Sequence, residues 1–586
     1  MPFHYMDRTP VILCLAIFAL YISDIGFMEQ LYFHPALIVA LCLLGLVSAA
    51  LFMFAYGQRG KKLALPIKAN RYILAILVAF FLLIGFELIG AAVLFTVAAL
   101  LAIGMLSRRL ERKKLYAASI MIIVIASCAT YASLYSTRNG VGIDEAAFNY
   151  YASYLLLHGA NPYTATMTPV LQKYNIIPTY QLNGSIESSY DYPALSFMPI
   201  AFLAGHMPGS SRYIALEFAA MIVLVSIISA SIVYKETKYG APALIPIAVW
   251  LLATYISATT IDQYISVSLL LLLAYIYRKK IVLSGILLGL SASVTQLSWF
   301  ALPFFYILVM KERNGTEALK SVAVSAVVFL LANSYFIIAS PAHFFGNVFG
   351  LFGSSKLLLY GTNIAQVFVT LYMMPLWYPE LLSIAVLLCA LVMFYLYTRT
   401  LKLMLALVPA FIFMLTWRNL PIYGLAFVPL IIVMCYEKDS GRPRDMLKGR
   451  RAIAIACAAI VLAIALSALY VHAIYVKSDT ISVNSVMPLP RRINGTYATY
   501  AINLSVSNNG DSYENVSFFV LSGNPGKAAI DTASSLGGIR PLSQRSYTLN
   551  FSAEGVSSNT RIFVMAFSKE YMAKMYAQVN TTKAGT

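Results

Sequence analysis

Apolar runs of about 20 residues, long enough to cross a bilayer as helices, recur along this chain from Pro10 to Tyr475. Short polar and basic stretches separate them. The pattern predicts two hairpins, 9–27 with 34–56 and 72–89 with 90–106, and then a span at 115–134. Further spans are expected near 212–234, 241–259, 262–278, 281–295, 297–311, 320–340, 378–398, 403–417, 421–436 and 452–474, about 15 in all. Pro193 to His206 is apolar but short, and reads as a partial or interfacial helix. The semi-apolar stretch 342–377, with Phe344, Phe345, Phe349 and Phe352, has room for a re-entrant piece. The first apolar run leads through Glu29 into a second run, so no removable signal peptide is expected.

The pattern changes after Lys477. Residues 478–586 are rich in Ser, Asn, Thr and Gly. Tyr500 to Val506 alternates apolar and polar side chains, Asn508-Asn509-Gly510-Asp511 reads as a turn, and Val516 to Val520, Ser546 to Phe551 and Arg561 to Ala566 read as strands. Short strands punctuated by turns predict a small β-sandwich. The expected fold is therefore mainly α, a polytopic membrane protein followed by an extracytoplasmic all-β domain. Its parts would be hairpins over 1–114, a transmembrane region over 115–476 with an outside loop at 135–192, and the β-domain over 477–586.

Composition agrees with a membrane chain. Hydrophobic residues make up 60% of the 586 positions and charged residues 11%, against roughly 25% charged in a soluble domain. The formal net charge of +18 does not point to nucleic acid, because the cations fall in short loops: Arg59, Lys61, Lys62, Lys68 and Arg71; Arg108 to Lys114; Arg278 to Lys280; Lys311 and Arg313; Arg442 to Arg451. Such loops stay in the cytoplasm. With an odd number of spans, the N-terminus is then inside and the C-terminus outside. The six cysteines lie in or beside apolar runs and show neither metal-ligand spacing nor a disulfide framework. Six Asn-x-Ser/Thr sites, Asn183, Asn494, Asn503, Asn515, Asn550 and Asn580, all fall on the expected outside. They are glycan acceptors where the organism glycosylates. Asn314 has the same pattern but sits in a basic, inside loop.

Chemistry concentrates just after the 115–134 run, at Asp144-Glu145, followed by Phe148-Asn149-Tyr150-Tyr151 and by His158-Gly159-Ala160-Asn161-Pro162-Tyr163. Two adjacent carboxylates where a span emerges into water are poor membrane anchors. They suit proton transfer, although an Asp here also suits the start of a helix.

This order of segments resembles the glycosyltransferase-C (GT-C) superfamily. Its first outside loop is similar to Asp144-Glu145 with the aromatic helix ending His-Gly-Ala-Asn-Pro-Tyr. Tyr192-Pro193-Ala194-Leu195 is similar to the Tyr-Pro-Pro-Leu segment of the polyprenol-phosphate-mannose-dependent branch, with Ala194 for the second proline. Asp262-Gln263, the turn Arg278-Lys279-Lys280, and Ser284 to Leu290 also fit. Val294 to Phe300 resembles a segment that often carries a lysine, where this chain has Thr295 or Gln296. The resemblance covers roughly residues 115–436. Separately, Val506 to Ser512 resembles immunoglobulin-like domains of archaeal and bacterial surface proteins.

The resemblance implies transfer of a sugar, mannose above others, from a polyprenyl- or dolichyl-phosphate donor with inversion. The acceptor would be a lipid-linked glycan, a glycolipid or a surface protein. Asp144 is then the base, and Glu145 orients it or helps hold a divalent metal, on which the superfamily varies. Donor-phosphate candidates are the outside cations Arg138, Lys356 and Arg418, with Lys173 beside them. Arg418, in the turn Trp417-Arg418-Asn419, would serve equally as a headgroup anchor. Acceptor or sugar candidates are Tyr163, Glu187, Asp191, Tyr192 and Asp262, the last equally suited to capping its own helix. His158 and His206 read as structural. A multi-span lipid-glycan flippase or transporter with a surface β-domain is the alternative, though no internal repeat is visible. A non-catalytic surface protein is the third.

Overall fold

The computed structural model describes residues 9–24, 35–58, 144–237, parts of 246–254, 261–350, 357, 360–437, 463–473 and 481–578, with short breaks inside these stretches. The spans expected at 72–89, 90–106 and 115–134, and most of those at 241–259 and 452–474, lie outside the described residues. The chain is mainly helical.

Four described helices are long and apolar enough to cross a membrane: Leu37–Gly57, Glu217–Thr237, Gly315–Ala339 and Trp377–Tyr397. Other apolar runs fold as shorter pieces, among them Tyr264–Ile276, Ile281–Val294 and Met404–Met414. Local chemistry accounts for several breaks. Pro409 lies inside Met404–Phe411, and Val428–Tyr436 restarts with Pro429 after Pro421–Ala426 ends. A proline removes an intrahelical donor and crowds the preceding turn. The 264–276 piece opens as a π-helix over Tyr264–Leu271, a form often found at functional sites. Pro193 to His206 contributes two 3-10 turns, Ala194–Ser196 and Met198–Ile200. The 342–377 stretch holds two short helices, Pro341–Gly350 and Ile364–Tyr372. Asn314 starts Gly315–Ala339: its side-chain oxygen accepts from the Glu317 N–H at 2.8 Å, as an N-cap residue does.

Small residues let two helices approach. Gly285 and Gly289, on Ile281–Val294, face Gly315–Ala339. A Cβ at Gly289 would lie 2.6 Å from the Ser325 carbonyl oxygen and from Val328 Cβ, and one at Gly285 would lie 2.9 Å from Val324. Small-xxx-small spacing of this kind lets membrane helices touch backbone to side chain. Gly289→Val is expected to cost about 1–3 kcal/mol by overpacking and to lower the unfolding midpoint in detergent. Gly315→Ala, with no atom within 4 Å of its Cβ position, should leave the midpoint unchanged.

At one end of the helices, four charges close a ring. Arg278 pairs with Glu312 at 3.0 Å and with Glu437 at 2.5 Å; Lys402 pairs with both glutamates at 3.0 Å. Tyr275 donates to Glu437 at 2.5 Å, and the Arg278 guanidinium stacks on the Tyr275 ring. The ring joins segments that end or begin near residues 276, 312, 404 and 436. Burial opposes the charge on Glu437, but Lys402 and Arg278 outweigh it and hold its pKa down at about 2, from an ordinary 4.5. The folded state therefore binds this proton less readily than the unfolded chain. Its stabilisation is complete above pH 4.5 and is lost as pH falls toward about 2. Glu437→Gln should destabilise by about 2 kcal/mol at neutral pH, between the values for exposed and buried pairs. In thermal unfolding, that gap between mutant and wild type should narrow below pH 4.5.

After residue 480 the chain forms strands. β1 (Tyr360–Gly361) and β2 (Arg418–Asn419) are a separate parallel pair within the helical region. β3 (Ile481–Ile493), β4 (Thr496–Asn508) and β7 (Ser543–Asn550) make one antiparallel sheet in the order β3-β4-β7, with β8 (Val556–Ser557) also on β4. β5 (Glu514–Asn524), β6 (Lys527–Ile539), β9 (Arg561–Phe567) and β10 (Met572–Gln578) make a second, in the order β10-β9-β5-β6. Alternate side chains of both sheets, such as Ile502, Leu504 and Val506 with Val516, Phe518 and Val520, meet in one buried cluster. The four strands and the turn expected from alternation correspond to β4, β5, β7, β9 and the turn after Asn508. β3, β6, β8 and β10 were not expected. β3 carries Pro488 and Pro490, and β6 is rich in Ala, Ser and Gly, residues of low strand preference.

Candidate functional site

Helix Asp144–Leu157 opens on its two carboxylates, where the positive end of the helix dipole favours them. The two point to different partners. Asp144 is half-buried; its Oδ1 accepts from the Glu145 N–H at 3.0 Å and its Oδ2 from the Thr179 N–H at 3.0 Å. The Thr179 Oγ1 in turn accepts from both terminal nitrogens of Arg418, at 3.2 Å each. A carboxylate and a guanidinium from distant parts of the chain thus meet across one threonine.

Glu145 is buried and turns inward, where Gln263 Nε2 donates to its Oε1 at 2.6 Å. Burial first, then the charge of Asp262 and a hydrogen bond to it, raise the Glu145 pKa well above the ordinary carboxylate range; Gln263 opposes this. Glu145 therefore favours its protonated form. Asp262 is fully buried just before the π-helical segment begins.

The loop 190–197 is pinned from several sides. Tyr190 donates to Asn149 Oδ1 at 2.6 Å and is bonded to Ser196. Tyr163 donates to the Tyr192 carbonyl at 2.8 Å, Gln296 Nε2 to the Asp191 carbonyl at 2.5 Å, and the Ala194 N–H to Asn333 Oδ1 at 2.8 Å. Asp191 is half-buried. Burial, Glu187 and Asp144 push its pKa well up, and Arg418 pulls the other way. Burial and then the charges of Glu145, Asp191, Tyr423 and Asp262 raise the Tyr192 pKa well above the ordinary phenol range.

The structure therefore brings together Asp144, Glu145, Asp191, Tyr192, Asp262 and Arg418. Arg138 and Lys356 lie outside the described residues. Tyr163 is 2% exposed and ringed by Tyr190, Phe197, Phe336 and Phe344; its ring supports the loop and offers no face to a sugar. Glu187 sits at the edge, accepting from Gln181 Nε2 at 2.7 Å and from the Ser189 N–H at 3.0 Å, and braces its own loop. Lys173 is exposed and donates to the Met207 carbonyl. His158 is exposed, bonded to the Tyr154 carbonyl and stacked on the Tyr154 ring. Among the described residues no three His, Cys, Asp or Glu side chains are placed to hold a metal ion.

Sequence reading missed Thr179 and Tyr423 and gave Gln263 and Gln296 no role. The two glutamines had a signal, a lone amide beside or within an apolar run; the other two had none. Arg418 owes its position to the β1–β2 pair, in which Tyr360 lies opposite Arg418 and Gly361 opposite Asn419. Gly361 has φ +81°, and a Cβ there would lie 1.7 Å from the Asn419 carbonyl oxygen. Only glycine fits both the conformation and the space. Gly361→Ala is expected to displace Arg418, and if Arg418 acts on substrate, to cost activity comparable to losing that arginine while the chain still inserts; a turnover assay beside a protease-resistance assay checks this.

No family model, no curated protein and no solved structure matches the chain.

Proposed function

We propose that this chain is a GT-C-like membrane glycosyltransferase that moves a sugar, mannose above others, from a polyprenyl- or dolichyl-phosphate to an acceptor outside the cell, with inversion. One observation carries the reading: the Asp144 carboxylate and the Arg418 guanidinium converge on Thr179, although 239 residues separate Arg418 from Thr179. A base and a cation side by side are what transfer from a phosphate leaving group requires. The acceptor oxygen attacks C1 of the sugar opposite the phosphate, and its proton goes to Asp144. The C1–O bond breaks with its electron pair passing to the phosphate, whose charge Arg418 meets. Glu145, held by Gln263, braces the first turn behind Asp144. Asp191 and Tyr192 line the acceptor side. No step runs through a metal.

The finer architecture belongs to the same proposal: about 15 spans, an inside N-terminus, a membrane catalytic region over 115–476 and an outside all-β sandwich over 477–586. The basic loops, the short apolar helices and the two sheets around one core support it. The test is transfer of radiolabelled sugar from synthetic polyprenyl-phosphate mannose, glucose or N-acetylglucosamine to membrane lipid or protein by the purified chain. Label in an acceptor is the expected result. Absence of label with every donor, together with movement of a fluorescent lipid-linked glycan across reconstituted vesicles, would put the flippase in its place.

A further inference from the structure

The strand-rich tail distinguishes between two of its glycan-acceptor sequences. Asn503 lies mid-strand in β4, with β3 on one side and β7 on the other. Its outward face is flanked by Met487 and Thr548, its partners in register, and Thr548 Oγ1 donates to its Oδ1 at 2.7 Å. Asn515 differs on each point. It is exposed and sits at the start of β5, before the pairing of β5 with β9 begins at Ser517. Its partner on β6 is Gly538, which has no side chain, and the ladder slips between Asn515 and Ser517. Val516 and Phe518 are buried, so Asn515 points outward.

Tyr513 lies two residues earlier, just before β5 begins. Its ring covers Gly538: a Cβ there would lie 2.1 Å from two ring carbons. Yet the residue is 59% exposed, so one edge of the ring lies against the glycine and much of the rest meets solvent, two residues from Asn515. A flat aromatic face next to an acceptor asparagine suits the apolar C–H face of a sugar.

We propose that Asn515 carries an N-linked glycan whose first sugar stacks on Tyr513, while Asn503 stays bare. The proposal rests on the outside placement of the tail. In the linking step the Asn515 amide nitrogen bonds C1 of a glycan carried on a lipid phosphate or pyrophosphate and loses one proton. The C1–O bond breaks, and its electron pair leaves with the lipid phosphate. A separate oligosaccharide-transferring enzyme of the same membrane supplies the donor and the catalysis.

The test uses the full chain purified from membranes of its own host. Mass spectrometry of its peptides should show a glycan on Asn515, lost in Asn515→Gln, and none on Asn503. An impermeant maleimide should label Arg540→Cys, at an exposed site, on intact cells above the wild-type background. Labelled but unmodified Asn515 overturns the proposal alone; failure to label overturns the outside placement as well. A glycan on Asn503 in place of Asn515 also overturns it. For stacking, Tyr513→Ala should speed proteolysis beside residue 513 more in the wild-type background than in Asn515→Gln. Equal effects in the two backgrounds would remove Tyr513 from the proposal.

Discussion

Asp144→Asn is expected to lower sugar transfer by about 10²–10⁴-fold, the usual contribution of a positioned general base, while the protein folds and inserts as before. The amide keeps the shape of the carboxylate but has one oxygen, so it keeps the bond from either the Glu145 or the Thr179 N–H and loses the other, which Asp144 receives on its second oxygen. It cannot take the acceptor's proton. The measurement is turnover with labelled donor, alongside the unfolding midpoint. Parallel loss of both would mean that Asp144 serves chiefly as the start of its helix. Full turnover in the mutant would move the base elsewhere. Glu145 is poorly suited to replace it, because burial and Asp262 favour its protonated form.

Arg418→Ala should lower turnover by about 10²–10³-fold, the scale of losing one preorganised group that meets developing negative charge. Donor binding should change less than the rate, because the phosphate carries more charge as it leaves than while it is bound. Arg418→Lys should recover part of the rate: lysine restores the charge but not the planar fork that contacts Thr179 with two N–H groups. An arginine that merely anchored the turn to lipid headgroups would show the opposite pattern, with near-normal turnover in both variants. Thr179→Ala offers an internal check. It removes the hydroxyl that Arg418 holds but keeps the backbone N–H on Asp144, and so should cost less than either charge.

Both predictions concern residues visible in the sequence, but what joins them is not. Asp144-Glu145 stands out because carboxylates are rare in a chain with 11% charged residues, and Arg418 because a cation on the expected outside departs from the distribution of the other basic residues. Their meeting depends on Thr179, a residue with no distinguishing pattern, and on a two-residue parallel pair that only Gly361 permits. Tyr163 shows the converse. Its Asn-Pro-Tyr setting drew attention, yet its ring is enclosed by four aromatic rings contributed by residues 190–344. No local pattern marks which face of a tyrosine is enclosed.

Hydrophobic periodicity and the change of composition after Lys477 determined, without tertiary information, that the chain is helical and apolar first and strand-forming last. Those properties follow from side chains within one turn or one strand. Tertiary structure decided which apolar runs remain long helices and which are cut by prolines and 3-10 turns. It also formed β3 and β6 against their own composition, because pairing with β4 and β5 supplies hydrogen bonds that local preference does not. It turned Asp144 toward Thr179 and Arg418, and Glu145 toward Gln263 and Asp262. Adjacent residues leave a helix about 100° apart, so which carboxylate faces the interior depends on what packs around the helix, and those neighbours are distant in sequence: Thr179 is 35 residues from Asp144 and Gln263 is 118 from Glu145.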